Sequence, residues 1–296
     1  MLARHIVHQG PMLRTVLGTT AAVLMGPLRR VRPVPDPLPE PPLTTVLPPR
    51  PDTLMDDFVT HLGGDAAAYR ERVPPHLFPQ WCLPIAGKVT KDLPYSMARM
   101  LNAGCRMQVN GPLARGEALH VRANLESVDE DARRALVQVR LVTGTASQPG
   151  ALVCDLDILF RMKRQGGGSG KEKPRIPAAA NEMDRWQLSR RSGMQFAFLT
   201  GDFNPVHWVA LYARLSGFKN VILHGFGTMA RLVETLNRRV LDGRPERLRT
   251  LELRFTRPLA LPAAPGVFAD GHGAVYVGGA PGETPYAMGR YTTIEE

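Results

Sequence analysis

Between Gly225 and Val240 the apolar residues Phe226, Met229, Ala230, Val233, Leu236 and Val240 recur at helical spacing. Arg231, Glu234 and Arg238 fall on the other face, the last two at the favourable four-residue separation. The pattern predicts an amphipathic helix with one face buried. Pro79–Leu93 reads as a second, partly helical apolar stretch. Elsewhere the period changes to two. Ala118–Asn124, Ala135–Thr143, Leu152–Met162 and Leu248–Arg254 alternate as strands do, and Cys105–Val109 adds a shorter apolar run.

Two stretches break the pattern. Val31–Arg50 is proline-rich and reads as a spacer, and Gln165–Lys171 is glycine-rich and reads as a flexible connection. They divide the chain into an N-terminal arm (1–50), a first block (51–163), a linker (164–174) and a second block (175–296). The blocks run in the same order: helix, strand, a Pro-Leu pair, then more strand. Pro112-Leu113 and Pro258-Leu259 occupy the same place in each, which suggests a duplicated unit. One helix with several antiparallel strands per block predicts an α+β layered architecture.

The 296 residues carry a net charge of +10, which suits an anionic partner. No helix-turn-helix, zinc-finger or RNP signature accompanies the charge, so nucleic acid is not the expected partner. Cys82, Cys105 and Cys154 are odd in number and widely spaced, and no CxxC pair suggests a metal site. A reducing, cytoplasmic setting is expected. The first 35 residues hold arginines and no acid. Their apolar run Thr15–Gly26 is too short to span a bilayer, which needs about 20 apolar residues. A basic helix or frayed tail is the plain expectation for this arm; contact with a membrane surface and a targeting segment are its rivals.

The chemistry concentrates in Thr200-Gly201-Asp202-Phe203-Asn204-Pro205-Val206-His207. Gly201, Asn204 and Pro205 make this a tight turn, and Pro205 is placed to open a short helix over Val206–Leu215. A carboxylate and an imidazole on such a turn can reach one cavity, where they can polarise a water or move a proton. Taken singly, Asp202 reads as a cap and His207 as an ordinary histidine. Together they fix five positions, a match that chance produces in about one chain in 10⁴ of this length. His224-Gly225 follow at the start of the amphipathic helix.

The turn resembles the signature of the MaoC-like dehydratases, the (R)-specific enoyl-thioester hydratases of the hotdog superfamily. The likeness runs from Phe198 through the turn to Ala213, and continues at His224-Gly225. It implies two hotdog units, each an antiparallel sheet wrapped around a central helix, fused as a pseudo-dimer, with only the second unit catalytic. It assigns Asp202 and His207 as the acid/base pair, Asn204 as the residue holding them and their water, and the Gly225 amide as donor to the thioester oxygen. Phe198, Trp208, His224 and Phe226 are then expected at the substrate. Trp208-Val209 departs from the family, where a small aliphatic residue and an acid commonly follow the histidine. The implied reaction is hydration of a trans-2-enoyl thioester, or dehydration of its (R)-3-hydroxyacyl partner, on CoA or an acyl carrier protein. It needs no metal or redox cofactor. A homodimer of double hotdogs is a further expectation. The basic residues Arg238, Arg239, Arg244, Arg247, Arg249, Arg254 and Arg257 are either a phosphate grip or a solvated face. Two other functions fit the same fold: thioester hydrolysis, and non-catalytic binding of acyl thioesters.

Overall fold

The computed structural model describes residues 2–10, 12, 34, 38, 41–95, 100–161 and 173–294. One ten-stranded antiparallel sheet runs through the molecule. Its first half holds β1 (Leu43–Leu47), β2 (Met100–Val109), β3 (Leu119–Glu130), β4 (Arg134–Gly144) and β5 (Leu152–Arg161). Its second half holds β6 (Asn181–Arg185), β7 (Leu248–Phe255), β8 (Gly266–Ala269), β9 (Ala274–Gly278) and β10 (Ala287–Thr293). The spatial order is β1-β3-β4-β5-β2-β7-β10-β9-β8-β6. Counted outward from the centre, each half runs through its second, fifth, fourth, third and first strand, so the duplication is one of topology.

The halves join where β2 pairs with β7, from Gly104 opposite Arg254 to Gln108 opposite Thr250. Two edges that would otherwise present unpaired amides close on each other. The alternation that predicted strands is the alternation of burial. In β4, Ala135, Val137, Val139 and Leu141 are fully buried, and Arg134 and Arg140 face out.

Among the described residues, five α-helices accompany the sheet: α1 (Asp52–His61) and α2 (Pro79–Thr90) in the first unit, α3 (Ser192–Thr200), α4 (Ala210–Leu215) and α5 (Gly225–Arg239) in the second. The Pro-Leu pairs do equivalent work. The Leu113 carbonyl accepts from the Val73 amide at 2.7 Å, and the Leu259 carbonyl accepts from the Leu223 amide at 2.9 Å. Each bond pins the residue that leads into a helix start.

Helix α5 departs from the expected amphipathic pattern. Glu234, assigned to the polar face, is fully buried, and its carboxylate lies 3.0 Å from Nε2 of the equally buried His76 in the first unit. Arg231 is also partly covered, and it donates to the His61 carbonyl at 3.2 Å. The reason is architectural: α5 is enclosed by its own sheet and by the first unit, so its polar face meets protein. Helix α2 ends at Thr90, short of Leu93, and β3 extends past Asn124 to Glu130.

The N-terminal arm also differs from expectation. Leu43–Leu47, inside the proline-rich spacer, pairs with β3 as the edge of the sheet. Prolines flank it, as edge strands tolerate. Leu2–His8 form a 3-10 turn packed on α3, with His5, Gln9 and Met12 buried. The apolar run Thr15–Gly26 and the glycine-rich linker lie outside the described residues. Among the described residues no helix is long and apolar enough to cross a membrane.

Candidate active site

Helix α3 delivers the motif. Its last turn buries Phe196, Ala197, Leu199 and Thr200, and the Thr200 hydroxyl donates back to the Phe196 carbonyl at 2.9 Å. Gly201 ends the helix at φ +83°, a left-handed conformation open to glycine, with its amide on the Ala197 carbonyl at 2.7 Å. The chain turns there and presents Asp202. Asn204 then caps the next turn, its side chain accepting from the Val206 amide at 3.3 Å, and its carbonyl accepts from the His207 amide at 3.1 Å. The helix expected over Val206–Leu215 is interrupted. Pro205–His207 form a 3-10 turn, Trp208 and Val209 leave helical geometry, and α4 begins at Ala210.

Asp202, His207 and His224 each offer an oxygen or ring nitrogen, and these atoms lie within 4.8 Å of one another. The imidazoles of His207 and His224 stack, with centroids 3.5 Å apart and planes 22° apart. Main-chain carbonyls fix both tautomers. His207 Nδ1 donates to the Ile222 carbonyl at 2.9 Å, which leaves Nε2 with its lone pair. His224 Nε2 donates to the Asp202 carbonyl at 2.9 Å, and its Nδ1 is buried without a partner. The Asp202 carboxylate stands 3.8 Å from His224 Nε2 and is partly exposed.

Burial holds the His207 pKa below its ordinary value, against the opposing pull of Asp202 and the Ile222 carbonyl. His224 is pushed down to about 3, first by burial and then by His207. Both shifts favour the neutral ring, because burial penalises the charged form. The His224 nitrogen that lies 3.8 Å from the carboxylate, Nε2, is already held by the Asp202 carbonyl and has no lone pair to offer a cation.

Gly225 is the first residue of α5, so its N–H has no acceptor within the helix. It adjoins His224, whose ring lies on His207. The Phe255 ring closes one side of it; a Cβ on Gly225 would come within 2.9 Å of that ring. The acyl approach expected at this glycine is therefore bounded by an aromatic wall.

Of the residues expected at the substrate, Phe198 and Trp208 line an open groove of about 420 Å³, together with Arg190, Arg191, Met194 and Gln195. Asp202 and His207 lie outside that lining. The Trp208 indole donates to the Phe203 carbonyl at 3.1 Å, which turns the ring away from the core. His224 and Phe226 are buried. Phe226 packs edge-on against Phe78 of the first unit and against Phe255, so it is a packing residue between the units. The arginines at the end of α5 and beyond it are largely engaged within the protein. Arg238 and Arg239 pair with Asp184, Arg247 pairs with Asp242, and Arg257 lies over the Tyr286 ring. Sequence reasoning missed the Ile222 carbonyl and the orienting contacts of His224. Main-chain acceptors leave no signature in residue type.

The family model described as MaoC like domain matches residues 174–265, within the second unit. The chain is 27% identical to 3-hydroxyacyl-thioester dehydratase X of Mycobacterium tuberculosis over 188 residues, 62% of this chain and 64% of that one. It is 23% identical to the peroxisomal enoyl-CoA hydratase 2 of Arabidopsis thaliana over 181 residues, 55% of this chain and 58% of that one. It spans less than two thirds of the length of either relative. Among solved structures, HtdX of M. tuberculosis superposes with a TM-score of 0.69 at 19% identity, covering 85% of this chain and all of that one. A second mycobacterial protein described as having a double hotdog fold gives 0.54 at 13% identity, over 86% of this chain and 96% of that one. The fold is the α+β double hotdog.

Proposed function

We propose that the second unit catalyses reversible addition of water to trans-2-enoyl thioesters, giving (R)-3-hydroxyacyl thioesters, with the acyl group carried on CoA or an acyl carrier protein. One observation carries the reading: the Asp202 carboxylate and the His207 ring converge within 4.8 Å beside a helix start that presents the Gly225 amide. The named activities of the two relatives support it.

In hydration, the oxygen of a water held by the pair forms a bond to C3. The π electrons of C2=C3 move toward the thioester carbonyl, whose developing oxyanion takes the Gly225 N–H at the positive end of α5. One proton leaves the water and one is delivered to C2, and the carbonyl re-forms. His207 Nε2, which keeps its lone pair, is a suitable acceptor, and the Asp202 carboxylate beside it shares the proton traffic. Asn204 holds the turn in register, and His224 sets the plane of the His207 ring by stacking on it. Phe198 and Trp208 shape the approach. Residues of the chain complete the reaction without a redox group.

The test is the ultraviolet absorbance of a trans-2-enoyl-CoA series, followed with purified full-length protein, with product configuration read by chiral chromatography. Loss of the enoyl band with formation of the (R)-3-hydroxyacyl product is expected. Release of free thiol without hydration would establish a thioesterase, and tight binding of unaltered substrate would establish a binding protein.

A further inference from the structure

We propose that the N-terminal segment is a clasp on the catalytic turn and that Gln9 is a positioning residue for Asp202. The inference rests on the hydratase reading only for the role of Asp202; the contacts stand without it.

Gln9 is fully buried although it is polar and near the start of the chain. Its amide Nε2 donates to the carbonyls of Phe198 at 3.2 Å and Leu199 at 3.1 Å. These belong to the last turn of α3, where carbonyls lose their partners within the helix. A residue far away in sequence therefore caps the helix that ends at Gly201-Asp202. The other end of the same amide is also occupied: Gln9 Oε1 accepts from Gln80 Nε2 of α2 at 3.2 Å. Gln80 in turn donates to the His8 carbonyl at 3.2 Å and accepts from Arg50 at 2.8 Å. The segment is anchored a second time by His5, buried, with Nε2 2.6 Å from Asp57 of α1.

The load falls on the turn itself. A Cβ on Gly201 would come within 2.8 Å of the Met12 Cβ and 3.0 Å of Gln9 Oε1. Gln9 and Met12 thus press against the residue whose left-handed conformation aims Asp202. Because Asp202 is partly exposed and its carboxylate makes few contacts, its position depends on where the end of α3 is held. A displacement of about 1 Å at a reacting group lowers rates by up to ~10²-fold. The first unit, through Asp57 and Gln80, holds the catalytic turn of the second by way of these few residues.

The experiment is Gln9→Met, which keeps the volume and removes the hydrogen bonds, alone and combined with Asp202→Asn. Enoyl-CoA hydration is measured at a temperature where every variant is folded by circular dichroism. The expected result is a fall in kcat of about 10-fold with KM within about twofold, and no further loss when Gln9→Met is added to Asp202→Asn. Hydrogen exchange read by mass spectrometry should be faster over 198–207 in Gln9→Met. An unchanged kcat, or an equal loss in both backgrounds, overturns the positioning role. Unchanged exchange overturns the clasp, whatever the activity. A wild-type protein without hydratase activity overturns the reading of Asp202, and the exchange data then judge the clasp alone.

Discussion

The two halves of this protein share a strand order and differ in what leads into the helix start. In the first, the Leu113 carbonyl fixes Val73, and the chain continues as Pro74-Pro75 into a short 3-10 turn before α2. In the second, the Leu259 carbonyl fixes Leu223, and the chain continues as His224-Gly225 into α5. Proline has no N–H. At the equivalent of the proposed oxyanion donor the first unit has no N–H to donate, and it carries no counterpart of the Asp202–His207 turn. The carbonyl that fixes a helix start is therefore common to both units, and on the proposed reading the chemistry sits on one of them. The freed half supplies other things: His76 to the buried face of α5, Phe78 against Phe226, and Gln80 to the clasp.

The comparison can be broken most forcefully at the seam. Glu234 and His76 are fully buried and 3.0 Å apart, and burial followed by Glu234 holds the Tyr69 phenol well above its ordinary pKa. Glu234→Ala leaves His76 interred without a partner, a loss of about 3–5 kcal/mol. Urea denaturation of the whole chain should show it, with Glu234→Gln less damaged. Should Glu234→Ala unfold at the wild-type urea midpoint, the first unit is not a structural support for α5.

Next in size is the site itself. Asp202→Asn and His207→Ala should each lose at least about 10² in turnover, the scale of a positioned acid or base, with melting temperatures that leave both folded at assay temperature. Retention of more than half the activity in either variant would mean that the two units differ in sequence but not in function.

The sequence pattern disclosed this contrast unevenly. Helical spacing located α5, alternation located β4 and β5, and Pro112-Leu113 against Pro258-Leu259 pointed to the duplication. The turn at 201–207 was legible because glycine, asparagine and proline mark a backbone path by type. Edge strand β1 was hidden by the prolines around it, and β8 and β9 by lengths too short for a period to show. Burial of Glu234 was invisible because its partner, His76, lies in the other unit. The clasp escaped for the same kind of reason. His5, Gln9 and Met12 occupy one face by spacing, but two of them are polar, so a search for apolar periodicity passes over them. The orientation of His207 rests on a carbonyl at Ile222, which any residue could supply.

A finer test separates the units by acid. Burial lowers the pKa of His207 and takes His224 to about 3, both in the second unit; burial and then Arg231 take His61, in the first, to about 4. Each folded value lies below the unfolded one of about 6.5, so the unfolded chain binds more protons as the pH falls. Their contribution to stability is complete above about pH 6.5 and is lost on acidification toward those folded values, at up to ~1.4 kcal/mol per pH unit for each ring. Urea midpoints taken between about pH 6.5 and 5, above the usual carboxylate range, should therefore fall steadily in the wild type. His61→Gln should flatten that fall by one ring's share and leave hydration intact, because His61 meets α5 at Arg231 and is not part of the Asp202–His207–His224 cluster. His224→Gln should flatten it equally and also slow the reaction, because the stack that orients His207 is gone. Equal slopes in His224→Gln and the wild type would show that His224 is not held neutral in the fold, and with that the stacked pair would lose its claim to set the acid–base state of the site.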